Sequence, residues 1–545
     1  METEPDNSAE SRGKALLRHG STLSLLTLIS RVLGLLREMT KAAFLGTSAL
    51  SDAFSVAFMI PNLLRRLFAE GSIAVAFIPT FKEYLFASET ENETKQDSSG
   101  LKSQDSIREF LSCFLTFLTF FVTLTVMLGI ALCPFVIRFF GMEEYDETVF
   151  LTRMMFPFLA FISLAAFFQG ILNSLRIFAP SGFAPILLNA ITILCAYVLS
   201  PAMKNPARAM AAGILIGGFM EAAIQLPFIL RRKTKIRFFF TGLKKAINNP
   251  GTRKVLRLIG PTIIGMAAYQ LNDLVSTALA GNAGEGIVSS LQYSLRLQEL
   301  ILGVFAVSIG TVLLPDLAEY AKSNQWEIFN RRLSSAMNII AFITIPITFF
   351  SLAQGQSLIR LLFQTRSFNE ESVRLTLAAF SFHMPGLYFI ALNRILAPAF
   401  YAQSNTKSPT LAGIISFAVN IALASALAFR FKGAGIAFAL TFASAVNTGV
   451  LLFFLKRNPA IPLGGTLKTA VGYAFKLILF SAIALVPVLL LSPRLSAFFA
   501  GKGRFISNGA PVLINALIYS AAGLVLLAAA KDKQLLGIVK LIRRK

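Results

Sequence analysis

From residue 21 onward the chain is a succession of apolar segments, each long enough to cross a lipid bilayer as a helix. The hydrocarbon core is about 30 Å thick, so one crossing takes roughly 20 residues at 1.5 Å each. A chain that crosses repeatedly must close its backbone hydrogen bonds within each segment, and only a helix does this segment by segment. Such segments fall at 21–45, 49–78, 108–138, 150–177, 182–200, 206–230, 255–281, 286–318, 334–352, 372–402, 408–429, 433–455, 469–492 and 509–530. They predict an all-α polytopic membrane protein with about 14 transmembrane helices. The first two and the eighth are the weakest by hydropathy, because they carry charge.

Composition narrows the class further. Hydrophobic residues make up 55% of the 545 and charged residues only 14%, where a soluble domain carries about 25% charge. A soluble multidomain enzyme, a disordered chain and a small disulfide scaffold are thereby excluded. Cys113, Cys133 and Cys195 all lie in apolar runs without metal or disulfide spacing, so they read as small core residues. Residues 1–20 are polar and mixed in charge. They lack the apolar core and small-residue cleavage site of a signal peptide and read as a cytoplasmic N-terminus.

An even span count puts both termini on one side of the membrane. With that side cytoplasmic, about 31 of the Lys and Arg residues face the cytoplasm against about 12 on the other side. The expected topology is therefore N-in and C-in. The formal net charge of +23 has its explanation in these loops, and no aromatic-basic motif points to nucleic acid. The largest basic cluster runs from Arg231 to Arg257 and includes Lys244, Lys245, Arg253 and Lys254. The loop from Gly141 to Glu147 is acidic and falls outside. Ser88–Ser106 is polar and poor in aromatics, as a cytoplasmic loop would be.

An internal repeat gives the domain plan. Ser72–Tyr84 and Ser308–Tyr320 share Ser, Ile, Pro, Glu and Tyr at a constant offset. Phe158–Pro185 and Phe382–Pro409 share Phe158/Phe382, Ala165/Ala389, Ile171/Ile395, Leu172/Leu396 and Pro185/Pro409. Two six-helix lobes in parallel orientation follow, at 21–230 and 255–455. A basic linker at 231–254 joins them, two further helices occupy 456–530, and 531–545 forms a basic tail. Two-lobed repeats with a central site are the usual plan of a transporter.

The basic residues singled out within the spans are Arg31, Arg37, Arg65, Arg66, Arg153, Arg296, Arg394 and Lys476. A buried cation costs at least about 2.5–3.5 kcal/mol on insertion scales, so each faces a cavity, pairs with an acid or snorkels to an interface. Lys476, Arg153 and Arg394 suit snorkelling or a structural pair. Arg31, Arg37, Arg65 and Arg66 cluster in the first two spans, and Arg296 lies in the eighth, the repeat equivalent of the second. This concentration suits a polar cavity between lobes. The nearby acids Glu38, Asp52, Glu70, Glu221, Asp273 and Glu299 neutralise only part of it. Guanidinium forks match phosphate oxygens and stay charged, so the surplus suits an anionic substrate. Arg31 and Arg37 stand roughly 120° apart on a regular helix and do not share one narrow face. Glu299 lies i+3 from Arg296, where a helical salt bridge is expected.

Asp273 and Ser276 share the seventh span with Asn272. An Asp flanked by amide and hydroxyl suits Na+ or a proton, and equally a hydrogen-bonded structural role. Catalysis finds little support. The two histidines are His19 and His383, and no nucleophile elbow, metal-ligand spacing or phosphate-binding Gly loop stands out. Gly433-Ala-Gly435 reads as close packing.

Several segments together resemble the MurJ (MviN) lipid II flippases of the MOP exporter superfamily. They are Ser30-Arg-Val-Leu-Gly-Leu-Leu-Arg-Glu38, Ser51–Gly71 (SDAFSVAFMIPNLLRRLFAEG), Ala76-Phe-Ile-Pro79, Gly310–Pro315, Leu362-Phe-Gln364, Phe400-Tyr-Ala402 and Lys407-Ser-Pro409. The resemblance covers about residues 20–455. It implies a V-shaped, two-lobed, 14-helix transporter of the bacterial inner membrane. Such a protein moves lipid II, an undecaprenyl-diphosphate-linked disaccharide peptide, outward by alternating access during peptidoglycan synthesis. It also implies that Arg31, Arg37, Asp52, Arg65 and Arg296 bind the headgroup, and that the last two helices form a groove for the lipid tail. Membrane lipids and cell-wall synthesis proteins are the partners it implies.

Four positions depart from the family pattern. Glu38 stands where the family usually has Asp, and Leu295 where an acid is common. Ser276 stands where many relatives carry a seventh-span Asp linked to cation binding, with Asp273 one turn away. Ala424, four residues after Asn420, lacks a carboxylate that some relatives have. Asp273, Ser276 and Asn420 are thus a candidate cation or proton site. The departures weigh against Na+ coupling and leave membrane potential or protons. No cofactor is expected. The readings weighed against lipid II are another polyprenyl-diphosphate glycan, a drug, and a membrane-embedded glycosyltransferase. Exporters of cationic drugs favour surplus acid in the cavity, the reverse of the surplus here. A glycosyltransferase would need acids such as Glu143–Glu147 and an extracytoplasmic domain, which the sequence lacks.

Overall fold

The computed structural model describes residues 7–67, 76–94, 99–230, 239–458, 461 and 463–543. They are helical almost throughout. In chain order the helices are α1 (Asn7–Leu45), α2 (Ala49–Arg65), α3 (Ile78–Thr94), α4 (Ser99–Arg138), α5 (Tyr145–Met155), α6 (Phe158–Ser174), α7 (Ala179–Met203), α8 (Pro206–Ala223) and α9 (Leu226–Leu230). After them come α10 (Leu243–Asn248), α11 (Pro250–Asn282), α12 (Ile287–Lys322), α13 (Trp326–Phe363), α14 (Glu370–Tyr401), α15 (Lys407–Lys456), α16 (Leu463–Phe499), α17 (Arg504–Ala529) and α18 (Lys533–Arg543). Among the described residues, nine helical segments are long and apolar enough to cross a membrane, the longest being α15.

That longest segment folds back on itself. Lys432 sits at φ 48°, outside the helical region, and interrupts the run. The Ser416 hydroxyl on one side of the break donates to the Ala443 carbonyl on the other at 2.8 Å. The two halves therefore pack antiparallel, at the places where the sequence reads separate spans at 408–429 and 433–455. Gly435 makes the hairpin possible, since a methyl group there would meet the Leu427 carbonyl oxygen at 2.7 Å. The close packing expected of Gly433-Ala-Gly435 is thus found at its second glycine.

The chain forms two compact units. The first comprises residues 1–45 and 49–270, and the second residues 46–48 and 271–545. In the first, α8 packs on α7 through Gly213 and Gly217, four residues apart on one face. A methyl on Gly213 would reach the Thr192 Cα at 2.8 Å, and one on Gly217 the Leu188 Cα at 3.0 Å. Small residues at this spacing let two membrane helices approach until their backbones touch. The neighbouring Gly218 receives the ring of Phe158 from α6. Cys113, Cys133 and Cys195 are buried free thiols, as their apolar settings suggest. At one end of the unit Glu147 accepts from Asn205 Nδ2 at 2.9 Å and from Arg208 Nε at 2.8 Å. This carboxylate of the acidic 141–147 loop is held in a structural fork.

In the second unit, Ser294 and Gln298 of α12 meet His383 of α14. The Ser294 hydroxyl lies 2.7 Å from His383 Nδ1, and Gln298 donates to the His383 carbonyl. Helices α16 and α17 dock on α13. Asn515 donates to Gln354, Gln354 donates to Ser492, and the Tyr519 hydroxyl donates to the Pro346 carbonyl at 3.0 Å. The Gly46–Ser48 turn also belongs to this unit. Its Gly46 has φ +57° and faces the Ser367 carbonyl with no room for a side chain. The Tyr293 hydroxyl donates to the Gly46 carbonyl at 3.0 Å.

The repeat segments lie partly outside the described residues, as does Glu70.

Candidate functional site

In the first unit the candidate residues lie on α1 and α2. Along α1, at 100° per residue, Leu25, Leu28, Ile29, Val32 and Leu36 fall within about 60° of one line. All five are exposed large apolar side chains, the face a membrane helix turns to lipid. Arg31, Arg37, Glu38 and Lys41 fall within about 60° of the opposite line. The two arginines share no narrow face, but both lie away from this exposed apolar face.

Distance from the connecting turn orders these groups. At 1.5 Å per residue, Lys41 lies about 6 Å from the end of α1, Arg37 about 12 Å and Arg31 about 21 Å. On α2, Asp52 lies about 5 Å from its start and Arg65 about 24 Å. Arg37 donates to Glu38 at 2.9 Å, and its guanidinium sits 5.6 Å from the centre of the Phe58 ring. Arg65 Nε donates to Asn62 Oδ1 at 2.8 Å, three residues back on its own helix. Arg31 is half-buried and has no hydrogen-bond or ion-pair partner among the described residues. Beside it, Asn189 of α7 donates to the Ser30 carbonyl at 3.3 Å.

The sequence reading does not single out Lys41. It stands four residues before the expected end of the first span, close enough for a lysine to reach an interface by snorkelling. Instead it is 3% exposed and points inward. Its ammonium donates to the Ser55 hydroxyl at 2.5 Å, and that hydroxyl donates to the Ser51 carbonyl at 2.7 Å. Asp52 is 4% exposed.

In the second unit Arg296 pairs with Glu299 at 3.3 Å, the i+3 bridge that the spacing predicts. Its Nε is buried and without a partner among the described residues. His383 grips the same helix at Ser294 and Gln298, on either side of Arg296, and only the tertiary structure reveals this brace. Asn420 donates to Asn272 Oδ1 at 2.8 Å and to Ser276 Oγ at 2.9 Å, joining α15 to α11. Both amide protons are then spent, while its Oδ1 is buried without a partner among the described residues. Asp273 is half-buried on α11, one turn before Ser276.

The remaining cations divide as their positions suggest. Lys476 pairs with Asp532 at 2.7 Å. Arg153 is exposed and donates to the Ile130 carbonyl at 3.3 Å, and Arg394 is exposed. Arg66 is half-buried at the end of α2.

Known proteins match this chain closely. A family model described as lipid II flippase MurJ matches residues 41–507. A protein of Treponema pallidum named "Probable lipid II flippase MurJ" is 45% identical over 519 residues, which cover 95% of this chain and 97% of that protein. A solved structure of a lipid II flippase MurJ in an inward closed conformation superposes with TM-score 0.74 at 25% identity, covering 94% of this chain and 99% of the other. The fold is shared more widely. An inward-facing MATE-family multidrug transporter of the MOP superfamily gives TM-score 0.63 at 13% identity, over 80% of this chain and 99% of its own.

Proposed function

The chain belongs to the MurJ family of lipid II flippases, and on that premise we propose that it grips lipid II by the diphosphate, through arginines on α1, α2 and α12. It is a multi-pass membrane transporter and not an enzyme, and the lipid it moves is the lipid-linked precursor of peptidoglycan. In our reading Arg31, Arg37 and Arg65 of the first unit and Arg296 of the second engage the headgroup during an alternating-access cycle. Asp52, itself an anion and buried, acts on these cations and not on phosphate.

The observation that carries this reading is Arg31. A half-buried guanidinium on a membrane helix, with no acid beside it among the described residues, costs about 2.5–3.5 kcal/mol on insertion scales. A diphosphate offsets that cost with charge-assisted, bidentate hydrogen bonds. The headgroup's water is replaced by fixed donors, so it crosses without entering hydrocarbon. No covalent step is needed. The proposed orientation has both termini in the cytoplasm, with the headgroup entering there and leaving on the outer face. In the same reading the lipid tail stays in the bilayer beside α16 and α17, and transport draws on membrane potential or protons.

The test is flipping in cells depleted of their own lipid II flippase and supplied with this protein, Arg31→Ala or Arg296→Ala at equal membrane levels. Lipid II reaching the outer leaflet is the readout. Restoration by the wild type, with a loss of tenfold or more in each variant, is expected. Variants as active as the wild type would remove these arginines from the site. An inserted wild type that restores nothing would turn the assignment to another polyprenyl-diphosphate glycan.

A further inference from the structure

We propose that residues 239–248 form an interfacial anchor: this strap dips beside α4 into the headgroup–acyl boundary of the bilayer, where Phe239 and Phe240 contact lipid chains and Lys244 and Arg253 meet acidic headgroups. The inference is independent of the diphosphate reading above. It concerns a segment that the sequence reads as part of a basic cytoplasmic linker.

Asp105, Arg108 and Glu109 are the last charged residues of α4 before Arg138, so the water boundary falls near Glu109. The strap runs past that boundary. The Phe239 N–H donates to the Ser112 hydroxyl at 3.3 Å, and the Thr241 N–H donates to the Thr116 hydroxyl at 3.0 Å. At 1.5 Å per residue, Ser112 lies about 4.5 Å and Thr116 about 10.5 Å along α4 beyond Glu109. The chain then returns, because Lys245 of α10 pairs with Glu109 at 2.8 Å.

The two spacings match. Two residues of extended chain advance about 6.6 Å and four residues of a helix about 6 Å, so alternate strap N–H groups meet hydroxyls one turn apart. Non-helical backbone at this depth needs such partners, since lipid offers none. The strap also carries two bulky rings, Phe240 70% exposed and Phe239 50%. Phe120, one turn beyond Thr116, is exposed as well, so the apolar surface continues from the strap onto α4.

Charge identifies the occupant. Glu109 is taken by Lys245, and Glu83 by Lys254 at 2.5 Å. Lys244 and Arg253 are exposed and have no acid partner among the described residues, and Arg253 donates instead to Asn248 Oδ1 at 2.6 Å. Apolar rings at depth, with surplus cations at the boundary, complement an acidic leaflet surface.

The test places the full-length protein in vesicles of phosphatidylcholine and phosphatidylglycerol. Trp326, the single tryptophan of the chain, is replaced by Phe, and Phe240→Trp serves as the probe. Its fluorescence is expected to fall about twofold with lipids brominated near the headgroup and to change little with aqueous iodide. Brominated phosphatidylglycerol should quench about twice as strongly as brominated phosphatidylcholine at equal mole fraction, and Lys244→Gln combined with Arg253→Gln should remove that preference. Ser112→Ala with Thr116→Val takes away both acceptors and should raise iodide quenching about twofold. Phe239→Trp is a second probe, which keeps the test open if Phe240→Trp does not fold.

Iodide quenching without lipid quenching would put the strap in water and overturn the proposal. Protection from both quenchers would overturn it by showing protein over the rings. Equal quenching by the two lipids would overturn the acidic-surface assignment.

Discussion

Lys476, deep in the sequence of α16, reaches Asp532 in the turn between α17 and α18, with Nζ 2.7 Å from Oδ2. Tyr473, one turn away, donates its hydroxyl to the other carboxylate oxygen at 3.2 Å. That same oxygen accepts the backbone N–H groups of Gln534 and Leu535, so Asp532 also caps the start of α18. Lys531, at φ 48°, makes the turn that brings it there. One carboxylate thus ties the last helix to α16, and Leu535 packs onto the apolar cluster of Ala341, Ala474 and Leu477.

Removing the lysine tests how much this clasp holds. Asp532 is only 2% exposed, so Lys476→Met strands a buried carboxylate that keeps its two backbone donors. Breaking a buried pair costs about 3–5 kcal/mol, and a lysine that is partly exposed lowers this to about 1–3 kcal/mol. Purified Lys476→Met should unfold at a lower temperature than wild type, with α18 exchanging its amide hydrogens faster. Lys476→Met combined with Asp532→Asn should regain part of the loss.

The clasp also sets an acid dependence. Burial raises the Asp532 pKa, but the Lys476 hydrogen bond and the two backbone donors outweigh it, and the group ends below the ordinary Asp value. A carboxylate with a depressed folded-state pKa contributes stability in full above its unfolded value, about 3.9, and loses it as pH falls through the folded value. Protection of the α18 amides, taken relative to the intrinsic exchange rate at each pH, should therefore be unchanged between pH 8 and 5 and fall below about pH 4. In Asp532→Asn this acid step should be absent from α18.

Gly213 carries a packing prediction. A methyl there meets the α7 backbone and not a side chain that can swing aside, so Gly213→Ala must push α8 off α7. Overpacking of this kind costs about 1–3 kcal/mol. Gly449, with open space around it, is the control, and Gly449→Ala should leave the unfolding temperature within a degree or two of wild type.

The turn between α1 and α2 is equally exacting. Gly46→Ala would place a methyl group on a left-handed backbone and against the Ser367 carbonyl. The backbone alone adds roughly 1–2 kcal/mol. Reduced membrane accumulation or a clear drop in flipping is expected, measured beside Gly449→Ala at matched expression.

Asn420→Ala removes both donors that link α15 to α11 and leaves Asn272 and Ser276 without that partner. A lower unfolding temperature is expected. If Asp273, Ser276 and Asn420 also hold a coupling cation or proton, the dependence of flipping on Na+ or on pH should change with it, and an unchanged ion dependence would leave the network purely structural.

The sequence by itself determined the helices and the family. Span length and hydropathy are properties of consecutive residues, so the bilayer's demand for about 20 apolar residues is written locally. The break in α15 falls at Lys432, between two apolar runs that the sequence already separates. The Arg296–Glu299 bridge was legible for the same reason, since i+3 neighbours meet on any helix. The cation pairing between helices was not. Lys476 finds Asp532 56 residues away, Asn420 finds Ser276 144 away, and His383 finds Ser294 89 away. Lys41 is buried because α2 folds back against its flank, and nothing in the periodicity of α1 announces that. Whether a charged or polar side chain finds a partner on another helix is decided where helices meet, because a charge in a membrane protein is priced by what stands across from it.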